Sequence, residues 1–281
     1  MVISMGNGKV ALVTGSSRGI GRGVALALAK AGYDIAVHHS QSQEAAERTL
    51  GEVRALGVKA CLLQGDTGEV SVPQRLVDET VAALGRLDVL VSNAGITRFE
   101  GILDIKPETM DELYNVDFRG MILAAQAAAR YMVKNNVKGS IIFNTSIRSF
   151  SPHSTDGVYG ALKAGMNRII KSFAVDLGRY GIRVNGFSPG VTNVRAPSPE
   201  EEANSPFYRN SHRFIPLRRN GYAYDMGGPV VWLASEDSAY VTGQVICVDG
   251  GLSAVGVPER LGELNNLYAL DEWLAVGEDD I

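Results

Sequence analysis

A strand that runs into a glycine-rich turn and then a helix, at the head of a chain that keeps alternating strand and helix, leaves few folds open. Residues 9–14 (KVALVT) read as a short apolar strand. Gly15-Ser-Ser-Arg-Gly-Ile-Gly21 follows, and a helical run continues to Ala31, closed by Gly32. Gly15 permits the tight turn, Gly19 lets backbone approach a bound group, and Gly21 lets helix and strand pack closely. Such a turn offers backbone N–H groups at a helix N-terminus, where a pyrophosphate fits.

The alternation then persists. Strands are expected at 34–39, 58–64, 87–92, 139–145, 182–187 and 245–248. Helices are expected at 43–56, 72–84, 107–134, 157–180 and around 230–234. Strands separated by helices pair in parallel and are covered on both faces, and right-handed crossovers wind them twice. The expected fold is α/β: a doubly wound parallel seven-stranded sheet with helices on both faces. One domain over 1–281 is expected, with a core over 9–252. Two stretches depart from the rhythm. Residues 190–221 hold four prolines and the run Glu200-Glu-Glu202, and read as a substrate loop. Residues 253–281 read as a tail with a short helix near 264–274 and an acidic end.

With 281 residues, 45% of them hydrophobic, the chain can bury one large core. Net charge is −4, and no basic run points to nucleic acid. Cys61 and Cys247 lie in apolar runs and read as two buried, reduced thiols rather than a disulfide framework. Residues 1–8 lack the charged and apolar regions of a signal peptide, and no apolar run approaches the ~20 residues of a membrane span. A soluble cytoplasmic protein is expected, with no metal site.

The chemistry is concentrated near the middle. Ser146 ends an apolar strand, Tyr159 follows thirteen residues on, and Lys163 four beyond that. Positions i and i+4 share a helix face, so Tyr159 and Lys163 point the same way. The loop 147–158 can fold back and bring Ser146 beside them. A hydroxyl, a phenol and an ammonium converging on one point can move a proton to or from an oxygen. A free phenol titrates near 10, and a neighbouring cation favours the phenolate.

Taken together, Thr14-Gly-x3-Gly-x-Gly21, Asp66, Asn93-Ala-Gly95, Ser146, Tyr159-x3-Lys163, Arg183-Val-Asn185 with Pro189-Gly190, and Asp249-Gly-Gly251 resemble the short-chain dehydrogenase/reductase family over residues 9–252. The resemblance implies a single-domain Rossmann-like sheet, a nicotinamide cofactor at the carboxyl ends of the strands and reversible alcohol–carbonyl interconversion. It implies Tyr159 as general acid and base, Lys163 as its activator and Ser146 as donor to the substrate oxygen. It places the cofactor on Gly15, Ser17, Arg18, Gly19, Ile20 and Gly21 of the loop, and on His39 and Ser40 at the tip of the second strand. Asp66 and Thr67 would meet the adenine, Asn93, Ala94 and Gly95 its ribose, and Pro189, Gly190 and Thr192 the nicotinamide end, with Tyr159 and Lys163. It also implies a homotetramer, through residues 107–136, 157–180 and the region of the last strand.

Two positions depart from the family. Where it usually carries asparagine, in the long helix after the fourth strand, stands Asp117. Asn115 cannot stand in, because two residues turn about 200° around a helix. The family's asparagine holds a water that links the lysine to solvent. Aspartate accepts the same hydrogen bonds but adds negative charge beside Lys163, so Asp117 joins the catalytic set with an expected alkaline shift of the oxidation optimum, or with no consequence. Where a threonine is frequent, four residues past Gly190, stands Val194, and Thr192 lies two residues short of it.

The tip of the second strand, Val37-His-His-Ser40, has no acid to bond an adenosine ribose, and Arg18 can meet a 2′-phosphate, which favours NADP over NAD. The segment 131–139 and the second strand resemble bacterial glucose dehydrogenases and related sugar or polyol enzymes. The substrate is therefore expected to be a small sugar or polyol, with Arg98, Arg148, His153 and Asn193 as polar candidates. A 3-oxoacyl-carrier-protein reductase, using Arg209, Arg213, Arg218 and Arg219 as a basic patch, is the rival enzyme. A non-catalytic dinucleotide-sensing protein is the rival class.

Overall fold

The computed structural model describes residues 6–194, 204–205 and 208–254. Seven strands form one parallel sheet: β1 (Val10–Val13), β2 (Asp34–His39), β3 (Ala60–Gln64), β4 (Val89–Ser92), β5 (Ser140–Asn144), β6 (Arg183–Pro189) and, after two short strands, β9 (Val245–Val248). Their spatial order is β3-β2-β1-β4-β5-β6-β9. β1 pairs with both β2 and β4, so the order reverses there, and a crevice opens beyond the carboxyl ends of these strands.

Buried on both faces, the central strands alternate their side chains between two cores. Leu12, Leu90, Ile141 and Phe143 point to α3 (Val72–Leu84), α5 (Met121–Lys134) and α6 (Gly157–Gly178). Ala11, Val13, Val89, Val91 and Ile142 point to α1 (Gly19–Lys30), α2 (Gln43–Ala55) and α7 (Gly227–Ala234). The expected doubly wound α/β fold is the one observed. Within the segment read as a substrate loop, β7 (Thr192–Asn193) and β8 (Gly221–Tyr222) pair in parallel beside the sheet's carboxyl end. The helix expected near 264–274 lies outside the described residues.

Two readings change. The helix expected over 107–134 is α4 (Pro107–Tyr114), a π-helical turn over Asn115–Gly120, and then α5. A π turn inserts extra backbone into the ladder and re-aims the side chains around it. The cysteines are not the buried pair expected: Cys61 is half-buried and Cys247 exposed. Both lie on edge strands, β3 and β9, where the sheet ends and cover is thinner.

His38 braces the fold against the glycine turn. Its Nδ1 accepts the Gly15 N–H at 2.9 Å, which leaves Nε2–H to donate to the Gly65 carbonyl at 3.0 Å. Burial, opposed by the Gly65 carbonyl, pushes its pKa down to about 4. In the unfolded chain the ring titrates near 6.5, so between these values the unfolded state binds one more proton. This contribution is complete above about pH 6.5 and is lost as pH falls toward 4, on the order of 3 kcal/mol in all. Urea unfolding from pH 7 to 4.5 should therefore show a stability slope that is shallower by up to one proton in His38→Gln; equal slopes would remove His38 from the explanation.

Candidate active site

The π turn delivers Asp117 into the crevice wall. Its Oδ1 meets Lys163 Nζ at 3.0 Å as an ion pair outside hydrogen-bond alignment, and its Oδ2 accepts the Ile96 N–H at 2.9 Å. Both charged groups are buried, Asp117 at 1% exposure and Lys163 at 3%. Gly95 leaves room for the carboxylate: a Cβ there would stand 2.6 Å from Asp117 Oδ1. Asn115 lies elsewhere, against Gly68. Lys163 also donates to the Asn144 carbonyl at 3.4 Å, touches Met121 Sδ at 3.8 Å, and sits 5.4 Å from the Tyr159 ring centroid. Burial alone would pull the lysine's pKa down. The Asp117 carboxylate, then Tyr159, outweigh it, and the net direction is upward: the ammonium is held charged.

Ser146 follows β5 in extended backbone and caps a short 3-10 turn over Ile147–Ser149, its Oγ accepting the Arg148 N–H at 3.2 Å. That turn lies on the first turns of α6. A Cβ on Gly160 would come within 2.9 Å of the Arg148 carbonyl, and Asn167 donates to Ser149 Oγ at 2.7 Å. The loop thus folds back, bringing the Ser146 segment to the helix that carries Tyr159 and Lys163.

The glycine turn also fits its expected use. Gly15 is in the left-handed region at φ +65°, and a Cβ on Gly21 would fall 2.3 Å from the Gly15 carbonyl oxygen. α1 starts at Gly19 with no side-chain cap and no acid in its first turn, which leaves its N-terminal N–H groups for an anion. Ser17 is buried beside them, Ile20 is half-buried and Arg18 is exposed at the N-cap. Asn93 ties the crevice floor: Nδ2 donates to the Thr14 carbonyl at 2.8 Å, and Oδ1 accepts from Asn144 Nδ2 at 2.8 Å. Thr14 Oγ1 accepts the N–H groups of Asn93 and Ala94 at 2.9 and 3.0 Å.

Asp66 is exposed, its Oδ1 accepting the Gly68 N–H at 2.8 Å, and Thr67 is buried next to it. Ser40 is exposed at the tip of β2, whereas His39 is buried with neither ring nitrogen hydrogen-bonded. Past Pro189, Gly190 packs on Asp249, and the Thr192 hydroxyl donates to the Gly190 carbonyl at 3.1 Å. Val194 lies against Gly19.

Among the polar substrate candidates, Arg98 is held by Glu112 through two contacts of 2.7 and 3.1 Å. Arg148 faces Asp156, His153 is exposed, and Asn193 is buried in β7. Reading the motifs missed His38, Asn144 and Asp156. Their partners are far away along the chain or lie in an irregular loop, so no local spacing marks them.

A family model described as Enoyl-(Acyl carrier protein) reductase matches residues 15–253. The L-rhamnose 1-dehydrogenase (NAD(P)(+)) of Sphingomonas sp. (strain SKA58) is 36% identical over 245 residues, covering 87% of this chain and 96% of its own length. The 3-oxoacyl-[acyl-carrier-protein] reductase FabG of Staphylococcus aureus (strain N315) is also 36% identical over 245 residues, 87% of this chain and 98% of its own. A solved short-chain type dehydrogenase/reductase from Mycobacterium marinum superposes with a TM-score of 0.82 at 33% identity, over 90% of this chain and 98% of that one. With this fold, these motifs and these relatives, the chain is an oxidoreductase that belongs to the short-chain dehydrogenase/reductase family.

Proposed function

We propose that this oxidoreductase uses NAD(P) to interconvert a secondary alcohol and a carbonyl on a sugar or polyol, with Tyr159, Lys163, Ser146 and Asp117 as its working residues. The observation that carries the reading is the buried ammonium of Lys163 beside the Tyr159 ring. When bound, the nicotinamide supplies or takes the hydride. Tyr159 takes the proton of the alcohol or returns it to the carbonyl oxygen. Lys163 favours the phenolate through its charge, Ser146 donates to the substrate oxygen, and Asp117 anchors the lysine through its ion pair and the Ile96 segment through its second oxygen. The glycine turn, with Ser17, Arg18 and Ile20, would hold the pyrophosphate, and Asp66, Thr67 and Asn93 to Gly95 the adenosine. Pro189, Gly190 and Thr192 would flank the nicotinamide.

NADP is the favoured cofactor. The tip of β2 ends in buried His39 and exposed Ser40, with no acid to repel a 2′-phosphate, and Arg18 stands exposed at the head of α1. Removing an arginine–phosphate contact removes a charge-assisted pair. Arg18→Ala should raise KM for NADP by about tenfold or more and leave KM for NAD within about twofold; an equal change for both would contradict this assignment.

The acyl-carrier reading draws on the FabG relative. Its expected basic patch is weakened at Arg219, whose guanidinium is spent on Asp225 through contacts of 2.7 and 2.8 Å. A panel of sugars, polyols, ketones and acyl thioesters, followed by the absorbance of reduced nicotinamide, separates the readings. Turnover of acyl thioesters alone would overturn the sugar assignment, and cofactor binding without turnover of any would favour the sensing protein. The assembly proposed is a cytoplasmic homotetramer. Supporting it are exposed Met110 and Tyr114 on α4, Val175 on α6 and Cys247 on β9. No described helix is long and apolar enough to cross a membrane.

A further inference from the structure

Asp156 occupies the position before α6, where aspartate ordinarily caps a helix, yet its carboxylate makes no cap bond. It turns instead into the loop that follows Ser146. Oδ1 accepts the His153 N–H at 3.3 Å, and Oδ2 faces Arg148 Nε at 3.5 Å with no hydrogen bond of its own. The Asp156 side chain is 4% exposed and that of Arg148 20%. Helix α6 forgoes a side-chain cap, and a carboxylate is buried, so that one edge of a guanidinium is held. Among the described residues, none of the Arg148 guanidinium N–H groups has a hydrogen-bond partner. Five donors in a planar fork stand two residues from Ser146, whose Oγ accepts the Arg148 N–H.

We propose that Arg148, aimed by Asp156, is the residue that selects the substrate: it donates to a second, uncharged oxygen of the molecule whose first oxygen sits at Ser146. This rests on the oxidoreductase reading above. The charge balance decides the class of that oxygen. Asp156 already neutralises the guanidinium, so the fork offers hydrogen bonds without net positive charge. That suits a hydroxyl near the reacting carbon and suits a carboxylate or phosphate poorly. Arg98, another of the polar candidates, is likewise paired, with Glu112. The site therefore takes a neutral polyhydroxy compound, and a lone alcohol is a poor substrate because it leaves the fork unused.

The test compares kcat/KM for the best sugar or polyol of the panel with that for its monodeoxy analogues, each lacking one hydroxyl close to the reacting carbon. Wild type should prefer the parent over one of these analogues by about tenfold or more. Arg148→Gln should bring that ratio near one by raising KM for the parent, with kcat and the analogue's kcat/KM little changed. Asp156→Asn, which keeps the guanidinium and frees its held edge, should reduce the ratio by a smaller factor, and Arg148→Lys should restore part of it. A wild-type ratio near one for every analogue, an undiminished ratio in Arg148→Gln, or an equal loss on parent and analogue would overturn the inference while leaving the oxidoreductase reading intact. Failure of wild type to oxidise any sugar or polyol would sink the sugar reading itself, and this inference with it.

Discussion

Replacing Tyr159 by phenylalanine should lower kcat for the verified substrate by about two to four orders of magnitude, the usual loss when a positioned general acid–base is removed. The change deletes one oxygen and keeps the ring that faces Lys163 at 5.4 Å. Stability and cofactor affinity should therefore stay close to wild type, since the cation–aromatic contact survives and the glycine turn is untouched. Steady-state kinetics beside cofactor titration by fluorescence would show the pattern. Loss of cofactor binding in step with kcat would mean that the hydroxyl positions the dinucleotide, and that the fall in kcat does not report a lost proton carrier.

The second large effect concerns the buried ion pair. Lys163→Met is close to isosteric but strands the Asp117 carboxylate at 1% exposure with no counter-charge. Removing one partner of a buried pair costs about 3–5 kcal/mol. Adding Asp117→Asn to Lys163→Met should recover most of that loss, because the amide oxygen can still accept the Ile96 N–H and no buried charge is left over. Urea denaturation of the single and double variants reads this directly; a double variant no more stable than Lys163→Met would show that the pair is not what destabilises. Asp117→Asn alone is informative through pH. Taking the carboxylate from the ammonium leaves more of the lysine's charge to favour the Tyr159 phenolate. The rising limb of alcohol oxidation should then move toward lower pH. Superimposable profiles would leave Asp117 a silent replacement for asparagine.

What the residues disclosed in advance follows from how local each feature is. Tyr159 and Lys163 are one helical turn apart, so their shared face was legible, and bringing the Ser146 segment to that helix needed only a loop that folds back. The glycine turn was legible because Gly15 and Gly21 answer to backbone demands, a positive φ and a 2.3 Å clash, that favour glycine. Asp117 was legible as a departure from a family pattern, but its direct contact with Lys163 was not. That contact depends on a π turn within a segment whose composition reads as uninterrupted helix. His38 binds Gly15 and Gly65, two segments that meet only when β1, β2 and β3 line up. Asp156 belongs to an irregular loop, and only its folded form shows the carboxylate turned to Arg148. Cys247 was misread because apolar neighbours along a strand do not reveal that the strand is an edge.

The most direct measurement is the pH dependence of alcohol oxidation in single turnovers, for wild type and Tyr159→Phe side by side. With Tyr159 as the base, the wild-type rate rises with pH through one ionisation and the residual rate of Tyr159→Phe is flat over the same range. A Tyr159→Phe rate that climbs with pH in parallel with wild type would place the proton acceptor on another group and contradict the account.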